Sequence, residues 1–211
     1  PVSSIEQMEK SLKQFQKGIA EFIGLKECLT MITLKNSSEN SITGHHDRGS
    51  IPIFRRSGRL NVKPEKYMSI IEASKADAYT SLADNDTWAG CPNKRLLKSI
   101  DRSEDMFNEC MTIVKENSIN TPLIASVQGG FSEYERKKSI EHLRKFEDKI
   151  FGYFLDGFHR NGHEAAVLDQ SAFKQIVKST VSKLPEEKMK LMLGCYLPQV
   201  ILELVGMGID V

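Results

Sequence analysis

Short apolar runs alternate with longer amphipathic stretches through most of this 211-residue chain, and that alternation predicts a parallel sheet covered by helices. The runs are Cys28 to Leu34 (CLTMITL), Ala78 to Ala83 (AYTSLA), Leu123 to Val127 (LIASV), Phe151 to Leu155 (FGYFL) and Leu191 to Leu193 (LML). Between them, Leu97, Ile100, Phe107, Cys110, Met111 and Val114 recur at helical spacing from Lys94 to Lys115, with Lys94, Arg95, Lys98 and Arg102 on the polar side. Ser132 is placed to cap a helix whose Tyr134, Ile140, Leu143 and Phe146 are expected to face inward. Phe173, Ile176, Val177, Val181 and Leu184 make another helix, and Val200 to Val205 the last.

The start of the chain reads differently. Ser3 and Ser4 precede Glu6 and Gln7 at capping-box spacing, and Ile5, Met8, Leu12, Phe15, Ile19 and Phe22 follow as one amphipathic helix ending near Gly24. A polar, turn-rich loop from Lys35 to Gly49 leads to a hairpin, Ile51 to Arg55 and Arg59 to Val62 around Ser57-Gly58; Pro64-Glu65 then opens a helix. Two closures fit the pattern, a doubly wound open sheet and a (β/α)8 TIM-type barrel. No G-x-G-x-x-G or G-x-x-x-x-G-K-[ST] follows any strand, which favours the barrel.

Composition narrows the function classes. With 29 Lys+Arg against 28 Asp+Glu, nucleic-acid contact has to come from a local patch rather than from overall charge. Cys28, Cys91, Cys110 and Cys195 are widely spaced with no C-x-x-C pair, which points to reduced thiols in a cytosolic setting and to no metal site within the chain. No apolar run approaches the roughly 18 residues of a spanning helix. The sequence begins at Pro1 and stops after an apolar stretch, so one incomplete barrel domain over residues 1–211 is expected.

In a parallel barrel, polar residues at the carboxyl ends of strands share one mouth. Three such ends carry Ala83-Asp84-Asn85-Asp86, Gln128-Gly129-Gly130 and Asp156-Gly157-Phe158. A carboxylate, a side-chain amide and a glycine N–H suit a planar heterocycle with adjacent donors and an acceptor, such as a purine. Each element alone is more often a turn or cap residue; the combination carries the functional reading. His45-His46-Asp47 reads as a solvated turn, and no strand-end lysine suited to a Schiff base is found.

These segments resemble the tRNA-guanine transglycosylase (queuine tRNA-ribosyltransferase) family. LIASVQGG (123–130) is similar to its strand and V-Q-G-G turn, FGYFLDGF (151–158) to its G-Y-x-x-G-G-L segment, and Glu186 to Val211 to its P-x-x-K-P-x-Y-L-M-G-V-G stretch and the residues after it. Pro64-Glu65 through Asp84 resembles its T-P-E … G-A-D segment, and the likeness spans roughly residues 55 to 211. The resemblance implies base-binding roles for Asp84, Gln128, Gly157 and Phe158, with an attacking Asp and a Cys-rich zinc site both beyond this chain.

The departures are specific. Asp156 stands for the first paired glycine, Phe158 for the leucine that packs on the base, residues 54–58 lack the R-S-H-x-D-G loop, and D-S-G-G-[FY]-Q is missing. Drifting pocket residues on a kept scaffold imply the accessory subunit of the heterodimeric eukaryotic enzyme, and Phe154-Leu155-Asp156-Gly157-Phe158 resembles that subunit. The alternative is a catalytic transglycosylase whose nucleophile lies outside the chain. The resemblance further implies a catalytic partner subunit, a homodimer in its absence, tRNA with a G-U-N anticodon, and a cytoplasmic location, peripheral at the mitochondrial outer membrane. For tRNA contact the expected residues are Arg136, Lys137 and Lys138, outward on the helix after Gln128.

Overall fold

The computed structural model describes residues 1–39, 42, 47–55, 57–167 and 170–211; His45 and His46 lie outside them. In chain order come α1 (Val2–Ile5), a 3-10 turn (Glu6–Met8), α2 (Glu9–Phe15), α3 (Ile19–Phe22), β1 (Met31–Ile32), β2 (Ile51–Arg55) and β3 (Gly58–Val62). There follow α4 (Pro64–Ser74), β4 (Ala78–Thr80), α5 (Asn93–Glu116), β5 (Leu123–Val127) and α6 (Glu133–Leu143). The chain continues with β6 (Ile150–Leu155), α7 (Gln170–Val181), β7 (Met189–Leu191) and α8 (Pro198–Gly206).

Five strands form one curled parallel sheet in the order β1-β4-β5-β6-β7, while β2 and β3 pair separately as an antiparallel hairpin with Ile51 opposite Val62. The main sheet never reverses its order. A doubly wound sheet must reverse at a switch point, so within the described residues the winding is that of a barrel segment. Along the outer side of β7, Val211 N–H donates to the Lys190 carbonyl at 3.3 Å and Met192 N–H donates to the Val211 carbonyl at 2.8 Å, so the last residues extend the same edge.

All five residues of β5 are buried, as a strand covered on both faces requires, and Ile124 packs with Phe154 and Leu191 across three neighbouring strands. On the other face Val127, Tyr153 and Leu155 join the main core with residues of α4 to α7. The sequence predicts longer strands than form: only Met31–Ile32 of 28–34 pairs, and β4 ends at Thr80, beyond which Ser81 still donates to the Ile124 carbonyl at 2.9 Å and accepts from Ser126 N–H through its Oγ.

The expected single N-terminal helix is broken into three, and no serine caps it. Glu6 is drawn instead to Arg55 and Lys66, and Glu9 to Lys66, Lys13 and Ser69. These pairs hold the N-terminal helices to the hairpin and to α4. Burial opposes ionisation of Glu9, but hydrogen bonds from Lys13, Lys66 and Ser69 prevail and hold its carboxyl at about 2. A lowered folded pKa gives stability that is complete above the unfolded value near 4.5 and is lost as pH falls towards 2. The lysines are well exposed, so the effect is discounted to about 1 kcal/mol. Glu9→Gln is expected to flatten the acid limb of a Tm-against-pH curve between pH 4.5 and 2, with little further change above it.

Candidate functional site

Because the strands are parallel and in chain order, the carboxyl ends of β1, β4, β5 and β6 lie side by side along one edge. After β4, Asp84 is fully buried and directs its polar groups to α5. Its N–H donates to Ser103 Oγ at 2.9 Å, its carbonyl accepts from Ser99 Oγ at 2.5 Å, and Arg102 Nη1 lies 3.3 Å from Oδ2. Arg95 binds both carboxylate oxygens, with Nη1 at 3.0 Å from Oδ2 and Nη2 on Oδ1. Residues 95, 99, 102 and 103 share one face of α5, so a single helix meets both the backbone and the carboxylate of Asp84, and the Asp86 N–H adds a bond to Oδ1 at 3.3 Å.

Gln128 and Gly157 do come together beside Asp84's loop. Thr87 Oγ1 donates to the Gly157 carbonyl at 2.6 Å, and Gly157 has φ +78° with no room for a Cβ, which would meet Thr87 Oγ1 at 2.7 Å and Gln128 Oε1 at 2.8 Å. The Gly157 N–H, the expected backbone donor, is taken by Asp156 Oδ1 at 2.7 Å, and Asp156 Oδ2 accepts from Asn85 Nδ2 at 3.0 Å. The Gln128 backbone N–H donates to Ser139 Oγ at 3.2 Å, while its buried side-chain amide has no hydrogen-bond partner among the described residues.

Phe158 packs into an aromatic cluster. It is buried, edge-on to Phe131 at 5.6 Å and Phe173 at 5.0 Å, with the Arg136 guanidinium 3.8 Å from its ring centre. Arg136, expected on the RNA-facing surface, is 1 % exposed and donates to the carbonyls of Gly130 (2.7 Å), Val127 (3.1 Å) and Asp156 (2.8 Å). It knits the ends of β5 and β6 together, and burial, against the pull of Asp156, lowers it to about 9. Gly129 is required here, since a Cβ would strike the Arg136 backbone N at 2.5 Å. The helix is therefore rotated from the expected orientation: Glu135, Arg136 and Ser139 turn in, and Tyr134 turns out. Lys137 and Lys138 remain outside, facing Glu141 and Asp101 at 3.7 Å each.

A lysine does stand at a strand end. Half-buried Lys35 follows β1, and burial lowers its ammonium against the opposing pull of Asp86, Asp84 and Asp156. It borders a cavity of about 20 Å³ with Asn85, Asp156 and Asn161, which is room for a water. Small-molecule sites run to roughly 300 Å³ or more. A cavity of about 310 Å³ lies elsewhere, an apolar groove between α8 and residues 192–196, lined by none of the expected residues. Among the described residues no group of three His, Cys, Asp or Glu could hold a metal ion, and no helix is long and apolar enough to cross a membrane.

The queuine tRNA-ribosyltransferase family model matches residues 4–211, nearly the whole chain. The chain belongs to this family. Relatives named queuine tRNA-ribosyltransferase accessory subunit 2 are 36% identical over 212 residues in Anopheles gambiae, 35% over 212 in Aedes aegypti and 35% over 217 in Drosophila melanogaster. Each alignment takes in 100% of this chain and 49%, 50% and 51% of the relative, so the chain spans about half the length of the curated relatives it matches. The family assignment drawn from the V-Q-G-G turn and the segment after Glu186 therefore stands.

Sequence reasoning missed the roles of Arg95, Arg102, Arg136, Thr87 and Lys35. The spacing of Arg95, Ser99, Arg102 and Ser103 was the available signal: a polar stripe at helical period opposite an isolated strand-end carboxylate. Arg136→Met should remove a donor from each of three carbonyls, of which Val127's keeps the Asp156 N–H, and lower stability by about 3 kcal/mol in urea unfolding. Lys137→Gln with Lys138→Gln should change it by under about 0.5 kcal/mol.

Proposed function

We propose that this chain is part of a non-catalytic accessory subunit of queuine tRNA-ribosyltransferase, supporting exchange of the anticodon wobble guanine for queuine. The observation that carries the reading is the closure of the strand-end site on itself. The Asp84 carboxylate already holds two arginines, the Gly157 N–H already holds Asp156, and the cavity beside Asn85 and Asp156 has room for no more than a water. A base would have to displace charge-assisted contacts in a buried setting, each stronger than a neutral hydrogen bond. The names of the relatives support the same reading.

On this proposal the sheet continues in the whole protein into a (β/α)8 barrel, and a catalytic subunit supplies the attacking carboxylate for tRNA with a G-U-N anticodon. The family's zinc would be held outside this chain, whose four cysteines are dispersed between exposed Cys28 and buried Cys110. A cytoplasmic location, peripheral at the mitochondrial outer membrane, belongs to the same proposal. With Arg136 removed from the surface, Lys137 and Lys138 are the exposed candidates for tRNA phosphates on α6.

The test is incorporation of labelled guanine or queuine into tRNA by the full-length protein, alone and with its catalytic partner. No turnover is expected alone and full turnover with the partner; turnover by the protein alone would establish the catalytic alternative. In the assembled heterodimer, Lys137→Gln with Lys138→Gln should weaken tRNA binding without altering base preference. The salt slope should fall by roughly one unit for each phosphate that no longer meets a lysine. An unchanged affinity and slope would move the RNA-binding role to another surface.

A further inference from the structure

The pairing of Arg95 with Asp84 has a chemical signature of its own. A guanidinium offers a carboxylate two parallel N–H donors in one plane, and Arg95 does so here, Nη1 to Oδ2 at 3.0 Å and Nη2 to Oδ1. Guanine offers the same pattern, with its ring N–H and exocyclic amino group side by side on one edge. We propose that Arg95 is an internal surrogate for that edge, a specificity-determining residue that occupies Asp84 in place of a 2-amino-6-oxopurine. The inference rests on reading the strand ends as the counterpart of a base-binding site, and it assigns the loss of that binding to α5.

Three observations support a surrogate over an ordinary buried ion pair. Arg95 satisfies both Asp84 oxygens from one side, whereas Arg102 reaches only one of them, at 3.3 Å, from seven residues along the helix. The Asp84 backbone is fixed separately by Ser99 and Ser103, so the loop has anchors to α5 that do not use Arg95. The Arg95 guanidinium also lies 3.8 Å from Asp86, so one planar cation faces two carboxylates of the loop after β4. Removing the Arg95 side chain therefore leaves a space beside a held carboxylate, lined for a planar donor pair.

The test uses full-length protein carrying Arg95→Ala and a thermal melt. Loss of the bidentate pair should lower Tm by roughly 10 °C. Guanidinium chloride at about 10 mM should recover at least half of that loss, and 2-aminobenzimidazole, a planar cyclic guanidine, should do so at lower concentration. Ammonium chloride at equal ionic strength should recover little. In Arg95→Ala with Asp84→Asn neither guanidine should shift Tm. Equal recovery by ammonium, or recovery that persists without the Asp84 carboxylate, would overturn the proposal. Should Arg95→Ala fail to fold, Arg95→Gln replaces it, with recovery by guanidinium expected and its absence decisive against. The base-exchange assay reports on the accessory reading separately, so the two can fail independently.

Discussion

A carboxylate taken wholly out of water has to be paired, and the pairing of Asp84 organises everything around it. Moving such a group from water to protein interior costs several kcal/mol, and only close opposite charge with full hydrogen bonding offsets it. Here α5 supplies both, with two arginines for the side chain and two serines for the backbone. The helix is 24 residues long, about 36 Å, and packs Met106, Phe107 and Cys110 into the core beyond those contacts. Fixing its first turns against the β4 loop thus fixes the line along which the rest of it lies.

Arg136 performs the equivalent task one strand on. It is a buried cation, answered by backbone carbonyls rather than by a carboxylate, and it stacks on Phe158 while bridging the ends of β5 and β6. Lys35 brings a third positive charge towards Asp84, Asp86 and Asp156 from the β1 side. Carboxylates and cations at this edge therefore meet one another. What resembles a recognition site in the order of its residues is, in its bonding, a set of clamps between successive βα units.

The reach of the sequence follows the range of the forces involved. Local propensity and periodicity were legible: β5 matches its expected span, α5 matches within a residue at each end, and Ser132 caps α6 by accepting from Glu135 N–H. The convergence of Gln128 and Gly157 was legible too, since parallel strands align their ends. The partners of Asp84 were not, because a pattern that assigns every charged residue to solvent puts Arg95 and Arg102 outside. The same rule placed Arg136 outward and Tyr134 inward, and the structure reverses both. Glu6 and Ser3 matched a capping box, but Arg55 and Lys66, some fifty residues and more away, draw Glu6 off it. The pairs made by Glu6 leave no periodic trace.

The unreversed order of the main sheet bears on how the chain acquires its structure. Each parallel strand of the main sheet is hydrogen-bonded to the strand next before it in that sheet, across connections that carry helices of up to 24 residues. Among the described residues β1 alone waits across an inserted hairpin, and each later strand of the sheet pairs with the one made just before it. Chain closure entropy is therefore met one βα unit at a time. A nascent chain emerging amino end first can add strands in the order it is made, each clamp closing as its helix appears.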